Sequence, residues 1–373
     1  MDTPPVRVMV CDDSGALRRL ISRVLTSERG IEVSATAENG RDALDQIRAR
    51  RPDLLVLDIE MPVLDGLSTL KELRSFDRSL PVIMFSTLTN EGSSATLEAL
   101  ARGAHDYVPK PAGGASFAET LERVRAELVP RIYALTQKHG GRAARRPVAS
   151  GGSESARTDL GVVAIGASTG GPQALAELIP RLPTPFPTPI LIAQHMPPAF
   201  TRIFGRRLGE ISNIPSCEAK HGQRVEANHI YLAPGGFHMT VRNRVIHLDT
   251  TEKLHGCRPA VDPLFESMAV DGGRRVLAVV LTGMGVDGAR GAMAVRKAGG
   301  VVLAQDQASS LVYGMPRAAA KTGAAHGVVS LDDLPNAIAR CVSGAMRSGV
   351  GQRPAGRRAS RAGMARPPVD RKR

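Results

Sequence analysis

The segment Val162-Val163-Ala164-Ile165-Gly166-Ala167 is a continuous apolar run, and Ser168 follows it directly. Residues 189–194 (Pro-Ile-Leu-Ile-Ala-Gln) form a second such run, which His195 follows. Uninterrupted β-branched runs bounded by glycine and proline are typical of strands in a buried parallel sheet. Open sheets of this class carry their functional residues at the carboxyl ends of the strands. The two runs therefore predict an α/β domain that brings a serine and a histidine to one sheet edge.

A third apolar run supplies an acidic residue. Residues 276–281 lead into a glycine-rich loop that contains Asp287. Serine, histidine and aspartate at one edge make a hydrolytic triad, in which serine attacks, histidine takes its proton and aspartate orients the imidazole. Asp262 and Asp306 lie in separate loops and remain alternatives for the aspartate, and His238 is the alternative histidine.

The residues around the serine fit a sharp turn between a strand and a helix. Gly166-Ala167-Ser168-Thr169-Gly170 matches the G-x-S-x-G elbow that exposes a nucleophile. Amide groups at the start of the next helix can stabilise an oxyanion there. The alternative is a phosphate-binding loop of a dinucleotide fold. The full G-x-G-x-x-G pattern is absent, which favours the nucleophile. The chain order Ser, His, Asp also differs from that of lipase-type hydrolases.

The amino-terminal third of the chain predicts a second parallel sheet. Apolar strands alternate with amphipathic helical patterns there, which indicates a doubly wound fold. The strands end in polar residues: Asp12 and Asp13, Asp58, Ser86 and Thr87, and Lys110. Clustered carboxylates suit Mg²⁺, and a lysine and a hydroxyl can hold a phosphoryl group. Asp53 and Asp65 are the alternative aspartates and fit solvated turns better.

These residues resemble the receiver domain of two-component response regulators, over residues 5–125. The resemblance implies that Asp58 is the phosphoacceptor and that a histidine kinase is the phosphodonor. It implies that Asp12 and Asp13 are the acidic partners around Mg²⁺. Glu60 would offer its backbone carbonyl to the same ion.

The resemblance also assigns the residues that respond to the phosphoryl group. Ser86, rather than Thr87, corresponds to the switch hydroxyl. Lys110 corresponds to the phosphoryl partner, and Tyr107 to the aromatic residue that changes rotamer.

Composition predicts a two-domain protein of the cytoplasm. A chain of 373 residues exceeds what one hydrophobic core normally supports. Its four cysteines show no paired spacing, which favours a reducing compartment and argues against structural zinc. The sequence contains no signal-peptide pattern and no run of 18 apolar residues, so we expect no membrane insertion.

The net charge of +13 is concentrated in two segments. Residues 347–373 hold nine basic residues and one aspartate, a net of +8, and residues 136–160 carry a net of +3. Both segments are poor in apolar residues, which predicts a flexible linker and a disordered tail. A solubilising tail and a tether to anionic partners remain open. Aromatic residues are only 3% of the chain and no helix-turn-helix pattern occurs, so we expect no specific nucleic-acid partner.

The carboxyl-terminal half carries a series of more specific motifs. They are Gly166-Ala167-Ser168-Thr169-Gly170-Gly171, Gln194-His195-Met196, Tyr231-Leu232-Ala233-Pro234-Gly235, Arg258-Pro259-Ala260-Val261-Asp262, Leu281 to Gly288, and Gln305 to Ser310. In this order, and behind a receiver, they resemble the chemotaxis protein-glutamate methylesterases. The resemblance implies a triad of Ser168, His195 and Asp287. It places Thr169 and Met284, with the Met284 backbone N–H, among the other active-site contacts.

The resemblance also implies an organisation and an activity. We expect a receiver at 5–125, a flexible linker at 126–157, a mostly parallel α/β catalytic domain at 158–345 and a disordered basic tail at 346–373. The implied enzyme is a phosphorylation-activated serine esterase that demethylates glutamate methyl esters, and deamidates glutamines, on methyl-accepting chemoreceptors. It would need Mg²⁺ in the receiver and no cofactor in the esterase. The alternative is a receptor-binding scaffold with an inactive esterase domain.

Overall fold

The computed structural model describes residues 4–87, 89–111, 116–136 and 161–343. The predicted tail at 346–373 and the predicted linker beyond residue 136 lie outside the described residues. The described residues form two α/β units, one before residue 137 and one after residue 160.

The amino-terminal unit alternates strands and helices along the chain. Its elements are β1 (Val6–Cys11), α1 (Gly15–Thr26), β2 (Ile31–Ala37), α2 (Gly40–Ala49), β3 (Leu54–Asp58), α3 (Gly66–Phe76), β4 (Val82–Ser86), α4 (Asn90–Ala101), β5 (Asp106–Pro109) and α5 (Phe117–Thr136). The sheet order is β2-β1-β3-β4-β5, and every pair is parallel. Helix α5 continues to Thr136, so the first residues of the segment predicted as linker are helical.

The carboxyl-terminal unit is larger. Its elements are β6 (Val162–Ala167), α6 (Gly171–Leu178), β7 (Ile190–Gln194), α7 (Pro198–Ser212), β8 (Ser216–Glu218), β9 (Ile230–Leu232), β10 (His238–Arg242), β11 (Val245–Asp249), α8 (Val261–Asp271), β12 (Val276–Val280), α9 (Ala289–Lys297), β13 (Val301–Gln305), α10 (Met315–Lys321), β14 (Gly327–Val329) and α11 (Leu334–Val342). Seven strands form a parallel sheet in the order β14-β13-β12-β6-β7-β9-β8, while β10 and β11 form a separate antiparallel hairpin.

The strand order fixes where each site can lie. In the larger sheet, the chain leaves β6 toward β7 on one side and later adds β12 on the other. In the smaller sheet, β1 lies between β2 and β3 in the same way. Such reversal points open a crevice at the carboxyl ends of the central strands, where α/β proteins bind ligands. The residues that follow β6, β7 and β12 therefore meet, as do those that follow β1 and β3.

Local sequence explains where the helices of the amino-terminal unit begin. Ser14, Asn39, Asp65 and Thr89 each precede a helix, and each side-chain oxygen accepts a hydrogen bond from a backbone N–H of the first turn. These residue types are the preferred caps because they satisfy amides that have no partner within the helix. Asp65 is thus a helix cap, which agrees with its predicted position in a turn.

The two units pack against each other through α4, which contacts α6 and α7. The apolar core is continuous across this contact, since buried residues of the receiver and of the larger unit belong to one cluster. Tyr107 of β5 stacks on Phe200 of α7 with ring centroids 4.5 Å apart. The Gln173 side chain of α6 donates hydrogen bonds to the carbonyls of Leu100 and Ala104. The receiver therefore contacts the two helices that follow Ser168 and His195.

Candidate active site

Ser168 lies in a tight turn directly after β6. Its N–H donates to Thr282 O at 3.0 Å, and its carbonyl accepts from Gly171 N at 2.7 Å. Gly170 has φ of 77°, in the left-handed region that favours glycine. A Cβ on Gly283 would lie 2.7 Å from the Ser168 Cβ, so only glycine lets that loop approach the serine so closely. The turn brings the Ser168 hydroxyl within 3.1 Å of the His195 ring.

The structure brings Ser168, His195 and Asp287 into one chain of hydrogen bonds. The His195 Nδ1 and Ser168 Oγ atoms are 3.1 Å apart, and His195 Nε2 and Asp287 Oδ2 are 2.7 Å apart. The nitrogens are exchanged relative to the serine-protease arrangement, in which Nε2 faces the serine. Since the aspartate accepts from Nε2–H, the neutral imidazole presents its lone pair on Nδ1 to the Ser168 hydroxyl.

Asp287 is held by the amino terminus of α8. Its Oδ2 accepts from Val261 N at 2.7 Å, and its Oδ1 accepts from Asp262 N at 2.9 Å and from Gly288 N at 2.8 Å. Burial by itself would raise the pKa of this carboxyl group, but the hydrogen bonds from His195 and these amides lower it below its usual range. The positive end of the helix dipole acts in the same direction. Asp287 therefore stays ionised beside the imidazole.

The charge of Asp287 has the opposite effect on the histidine. Burial by itself would lower the pKa of His195, but the hydrogen bond to Asp287 and the neighbouring thiol of Cys257 outweigh it and raise the pKa to about 9. The imidazolium that forms when His195 takes a proton is thus stabilised in place.

His238 and Asp306 bind partners away from the nucleophile turn. His238 is buried, accepts from Ala260 N through Nδ1 and contacts the carbonyl of Glu252 through Nε2. Asp306 accepts from the N–H and hydroxyl of Ser309. Among the described residues, neither side chain hydrogen-bonds to Ser168, His195 or Asp287.

Asp262 lies closer to the triad than His238 and Asp306 do. Its carboxylate accepts from Gly291 N at 2.8 Å and lies 3.3 Å from His255 Nε2. Only its backbone N–H, which donates to Asp287, supports the aspartate that contacts His195.

Thr169 and Met284 are the other predicted contacts. Thr169 follows Ser168 directly, and Met284 follows Gly283, whose backbone packs against Ser168. Among the described residues, neither amide donates a hydrogen bond to a backbone carbonyl. The Thr169 carbonyl accepts from the Thr282 hydroxyl at 2.9 Å, which fixes the backbone on one side of the nucleophile. Two free amides beside a nucleophile form a suitable oxyanion site.

Sequence reasoning missed three buried polar residues that hydrogen-bond to the backbone around Ser168 and Thr282. Gln194 and Gln305 are 2% and 0% exposed, and Thr282 is 1% exposed. The Gln305 Oε1 accepts from Thr282 N at 2.7 Å. The available signal was a polar residue at the end of an apolar strand, which applies to both glutamines.

The receiver site contains the predicted carboxylates and lysine. Lys110 Nζ lies 2.7 Å from Asp58 Oδ2 and 3.1 Å from Asp12 Oδ2. Carboxylate oxygens of Asp12, Asp13 and Asp58 lie within 4.8 Å of one another. Three hard oxygen donors at this spacing fit Mg²⁺. Glu60 is exposed, and its N–H donates to Asp58 Oδ1 at 3.4 Å.

Charge and burial shift the pKa values of Asp58 and Lys110 in this cluster. Burial, together with the negative charge of Asp12, raises the pKa of Asp58 to about 6 although Lys110 opposes the rise. Burial would lower the pKa of Lys110, but Asp58 and Asp12 raise it above its ordinary value. A further cation would therefore be stabilised among these carboxylates.

The predicted response residues connect this cluster to the interface. The Ser86 Oγ is buried, 2.7 Å from Thr96 Oγ1 of α4. Thr87 is half-buried, with its hydroxyl 3.4 Å from that of Thr89. Tyr107 is buried against Phe200, as described above. Asp53 is exposed and accepts from a backbone N–H of β1, remote from the phosphoryl site.

None of the described helices is long and apolar enough to cross a membrane.

Comparison with known proteins agrees with both resemblances. A family model described as CheB methylesterase matches residues 163–338, and one described as response regulator receiver domain matches residues 8–122. A protein-glutamate methylesterase/protein-glutamine glutaminase of Nocardioides sp. is 44% identical over 350 residues, which span 90% of this chain and 95% of the relative. A protein of the same name from Trichodesmium erythraeum is 41% identical over 348 residues, spanning 90% of this chain and 99% of the relative.

A solved structure is similar to part of the chain. The crystal structure of the Thermotoga maritima CheB methylesterase catalytic domain is 39% identical, covers 48% of this chain and 97% of its own, and gives a TM-score of 0.47. Identity above 40% across nine-tenths of the chain, with both family models in order, confirms the family resemblance. The chain belongs to the CheB methylesterase family and carries a response-regulator receiver domain in front of the methylesterase domain.

Proposed function

We propose that this chain is a phosphorylation-activated serine esterase that hydrolyses glutamate methyl esters, and deamidates glutamines, on methyl-accepting chemoreceptors. The observation that carries the proposal is the hydrogen-bonded chain Ser168–His195–Asp287 at the crevice of the larger sheet. The names of the relatives support the substrate class.

The reaction follows from the positions of these groups. His195 Nδ1 takes the proton of Ser168 as Oγ attacks the ester carbonyl carbon, and the carbonyl oxygen becomes an oxyanion. The amides of Thr169 and Met284 donate to that oxyanion. The imidazolium, held by Asp287, returns the proton to the leaving methoxide, and methanol departs from an acyl-serine. Water then adds by the same steps, which frees the glutamate carboxylate and the Ser168 hydroxyl. With a glutamine substrate the leaving group is ammonia.

The receiver would be phosphorylated on Asp58 by a chemotaxis-type histidine kinase. Asp12, Asp13 and Asp58, with the Glu60 carbonyl, would hold Mg²⁺, which when bound neutralises phosphoryl oxygens. Lys110 lies 2.7 Å from the Asp58 carboxylate and would pair with the added negative charge.

Contacts between the units support control of the esterase by the receiver. Burial raises the pKa of Asp106 in the receiver, and the Arg131 guanidinium and the Thr169 hydroxyl partly oppose that rise. The Asp106 carboxyl group therefore lies beside Thr169, the residue that follows the nucleophile Ser168. Gln173, two residues into α6, binds receiver carbonyls. Phosphorylation at Asp58 would redistribute this interface and open the crevice to a receptor helix.

Methanol release from methylated receptor membranes tests the esterase proposal. We expect wild-type protein to release methanol and Ser168→Ala to release none above background, since the nucleophile is missing. Ser267→Ala is a matched control, because the Ser267 hydroxyl contacts Val241 N and Leu264 O rather than Ser168 or His195. Absence of release by wild type, with receptor binding retained, would support the scaffold alternative instead.

Deletion of residues 1–150 tests the inhibition by the receiver. The larger unit has its own sheet and a buried core on the face away from the receiver, so we expect it to fold. The truncated protein should release methanol faster than the unphosphorylated full chain. An equal or slower rate for the folded fragment would contradict inhibition by the receiver.

A further inference from the structure

We infer that Gln194 is a positioning residue whose single side-chain amide fixes the backbone of both the nucleophile and the base. This inference rests on the proposed esterase function of Ser168 and His195. Gln194 is the last residue of β7 and is paired in register with Ala167, the last residue of β6. Its side chain thus lies between the two strand ends that deliver the reacting groups.

The contacts are specific to an amide. Gln194 Nε2 donates to the carbonyl of Ser168 at 3.0 Å and to that of His195 at 3.1 Å. A primary amide has two N–H donors, so both are used, one for each carbonyl. A carboxylate of the same shape would place oxygen against two carbonyl oxygens. The side chain is 2% exposed, so water cannot replace these bonds without rearrangement.

The local sequence makes room for this amide. A Cβ on Gly171 would lie 2.0 Å from Gln194 Oε1, and that oxygen has no hydrogen-bond partner among the described residues. Glycine at position 171 therefore allows the amide to sit under the nucleophile turn. The amide secures the orientation of two carbonyl groups.

That orientation acts on the oxyanion site. The Ser168 carbonyl and the Thr169 N–H belong to one trans peptide and point in opposite directions. The Gly171 N–H at 2.7 Å and the Gln194 Nε2 at 3.0 Å both hold this carbonyl on one side of the peptide. The Thr169 N–H is thereby directed to the opposite side, where we infer that the oxyanion forms. A rotated peptide plane would remove an oxyanion donor that acts mainly in the transition state. The expected signature is a lower kcat with little change in KM.

The test compares Gln194→Met, which keeps the length and removes both donors, with wild type. Gln223→Met is the matched control, since Gln223 also belongs to the larger unit but contacts Lys220 N and Cys217 Sγ. The full-length proteins are treated with a fluorophosphonate, which labels an activated serine and needs no receptor. Labelling of Ser168, kcat and KM for methanol release, and Tm are then measured.

We expect Gln194→Met to lower the labelling rate and kcat by about 10- to 100-fold, with KM within about twofold, because small misplacements at a reacting centre have effects of this size. The pH midpoint of kcat/KM should stay unchanged, since the contact between His195 and Asp287 remains. Gln223→Met should match wild type. Labelling and kcat of Gln194→Met within about twofold of wild type, at any Tm, would overturn the inference.

Two further outcomes are covered by the design. If Gln194→Met does not fold, Gln194→Leu replaces it, because leucine also lacks both donors, and the same twofold limits on labelling and kcat apply. If wild type is labelled at Ser168 but releases no methanol, the esterase proposal fails while labelling still tests Gln194. If wild type is not labelled at Ser168, both fail.

Discussion

Replacement of Asp287 by asparagine has a result that the geometry defines closely. Each carboxylate oxygen of Asp287 accepts two N–H groups: Oδ2 from His195 and Val261, and Oδ1 from Asp262 and Gly288. An asparagine must direct its NH₂ group at one of these pairs of donors, whichever way the amide is turned. Asp287→Asn therefore either loses its contact with the imidazole or disturbs the start of α8.

The size of the effect follows from the pKa of His195. Its value of about 9 lies above the ordinary 6.5 because of Asp287 and Cys257, although burial acts in the opposite direction. A rise of the His195 pKa from 6.5 to about 9 corresponds to about 3 kcal/mol of preference for the protonated imidazole. Loss of the carboxylate removes most of that preference and the orientation of the ring. By analogy with other triads, kcat should fall on the order of 10⁴-fold.

The direction of the pH dependence is also fixed. The base must be neutral to take the proton of Ser168, so wild-type kcat/KM should rise about tenfold per pH unit and level off above the His195 pKa of about 9. At pH 7 most of the imidazole would therefore be protonated. In Asp287→Asn the midpoint should move toward or below 6.5.

The assay is methanol release from phosphorylated enzyme and methylated receptor membranes between pH 6 and 10. Ser168→Ala corrects for spontaneous ester hydrolysis at high pH. A wild-type profile that is flat above pH 7, or an Asp287→Asn midpoint equal to that of wild type, would refute the assignment of Asp287 as the residue that raises the His195 pKa.

Three further predictions concern other contacts. Gln173→Ala removes two hydrogen bonds to the receiver without opening either core. Loss of about 1 kcal/mol of interface free energy should raise basal methanol release about fivefold. An unchanged basal rate would argue that this contact does not contribute to inhibition. Gly283→Ala places a Cβ 2.7 Å from the Cβ of Ser168, so Tm and kcat should both fall. Wild-type values of both would contradict the close approach of the Gly283 loop to Ser168. Asp58→Asn should abolish labelling of the receiver by a phosphodonor with Mg²⁺ while basal esterase activity persists; continued labelling would identify a different acceptor.

Much of the fold followed from the sequence because the strands are short apolar runs with clear boundaries. The run at residues 162–167 coincides with β6, and the run predicted at 276–281 differs from β12 by one residue at its end. A buried parallel strand must be apolar on both faces, which makes it easy to identify. The hairpin of β10 and β11 was not predicted, because its strands mix polar and apolar residues.

The residue types of the site could be predicted from the sequence, but the hydrogen bonds that orient their side chains could not. Strand ends indicated Ser168, His195 and Asp287, because a parallel sheet collects its carboxyl ends at one edge. The cradle of α8 amides around Asp287 could not be predicted, since the amides belong to residues 26 and 25 positions earlier in the chain. The use of Nδ1 toward Ser168 depends on the direction from which the β7 loop enters, which no local pattern encodes.

The measurement that tests the central claim most directly is methanol release from methylated receptor membranes by the full chain, with and without acetyl phosphate and Mg²⁺. Wild type, Ser168→Ala and Asp58→Asn are compared in parallel. The account predicts stimulation by the phosphodonor in wild type, unstimulated basal release in Asp58→Asn and no release in Ser168→Ala. Equal release from wild type and Ser168→Ala would contradict the assignment of the nucleophile, and equal stimulation of wild type and Asp58→Asn would contradict control through the receiver.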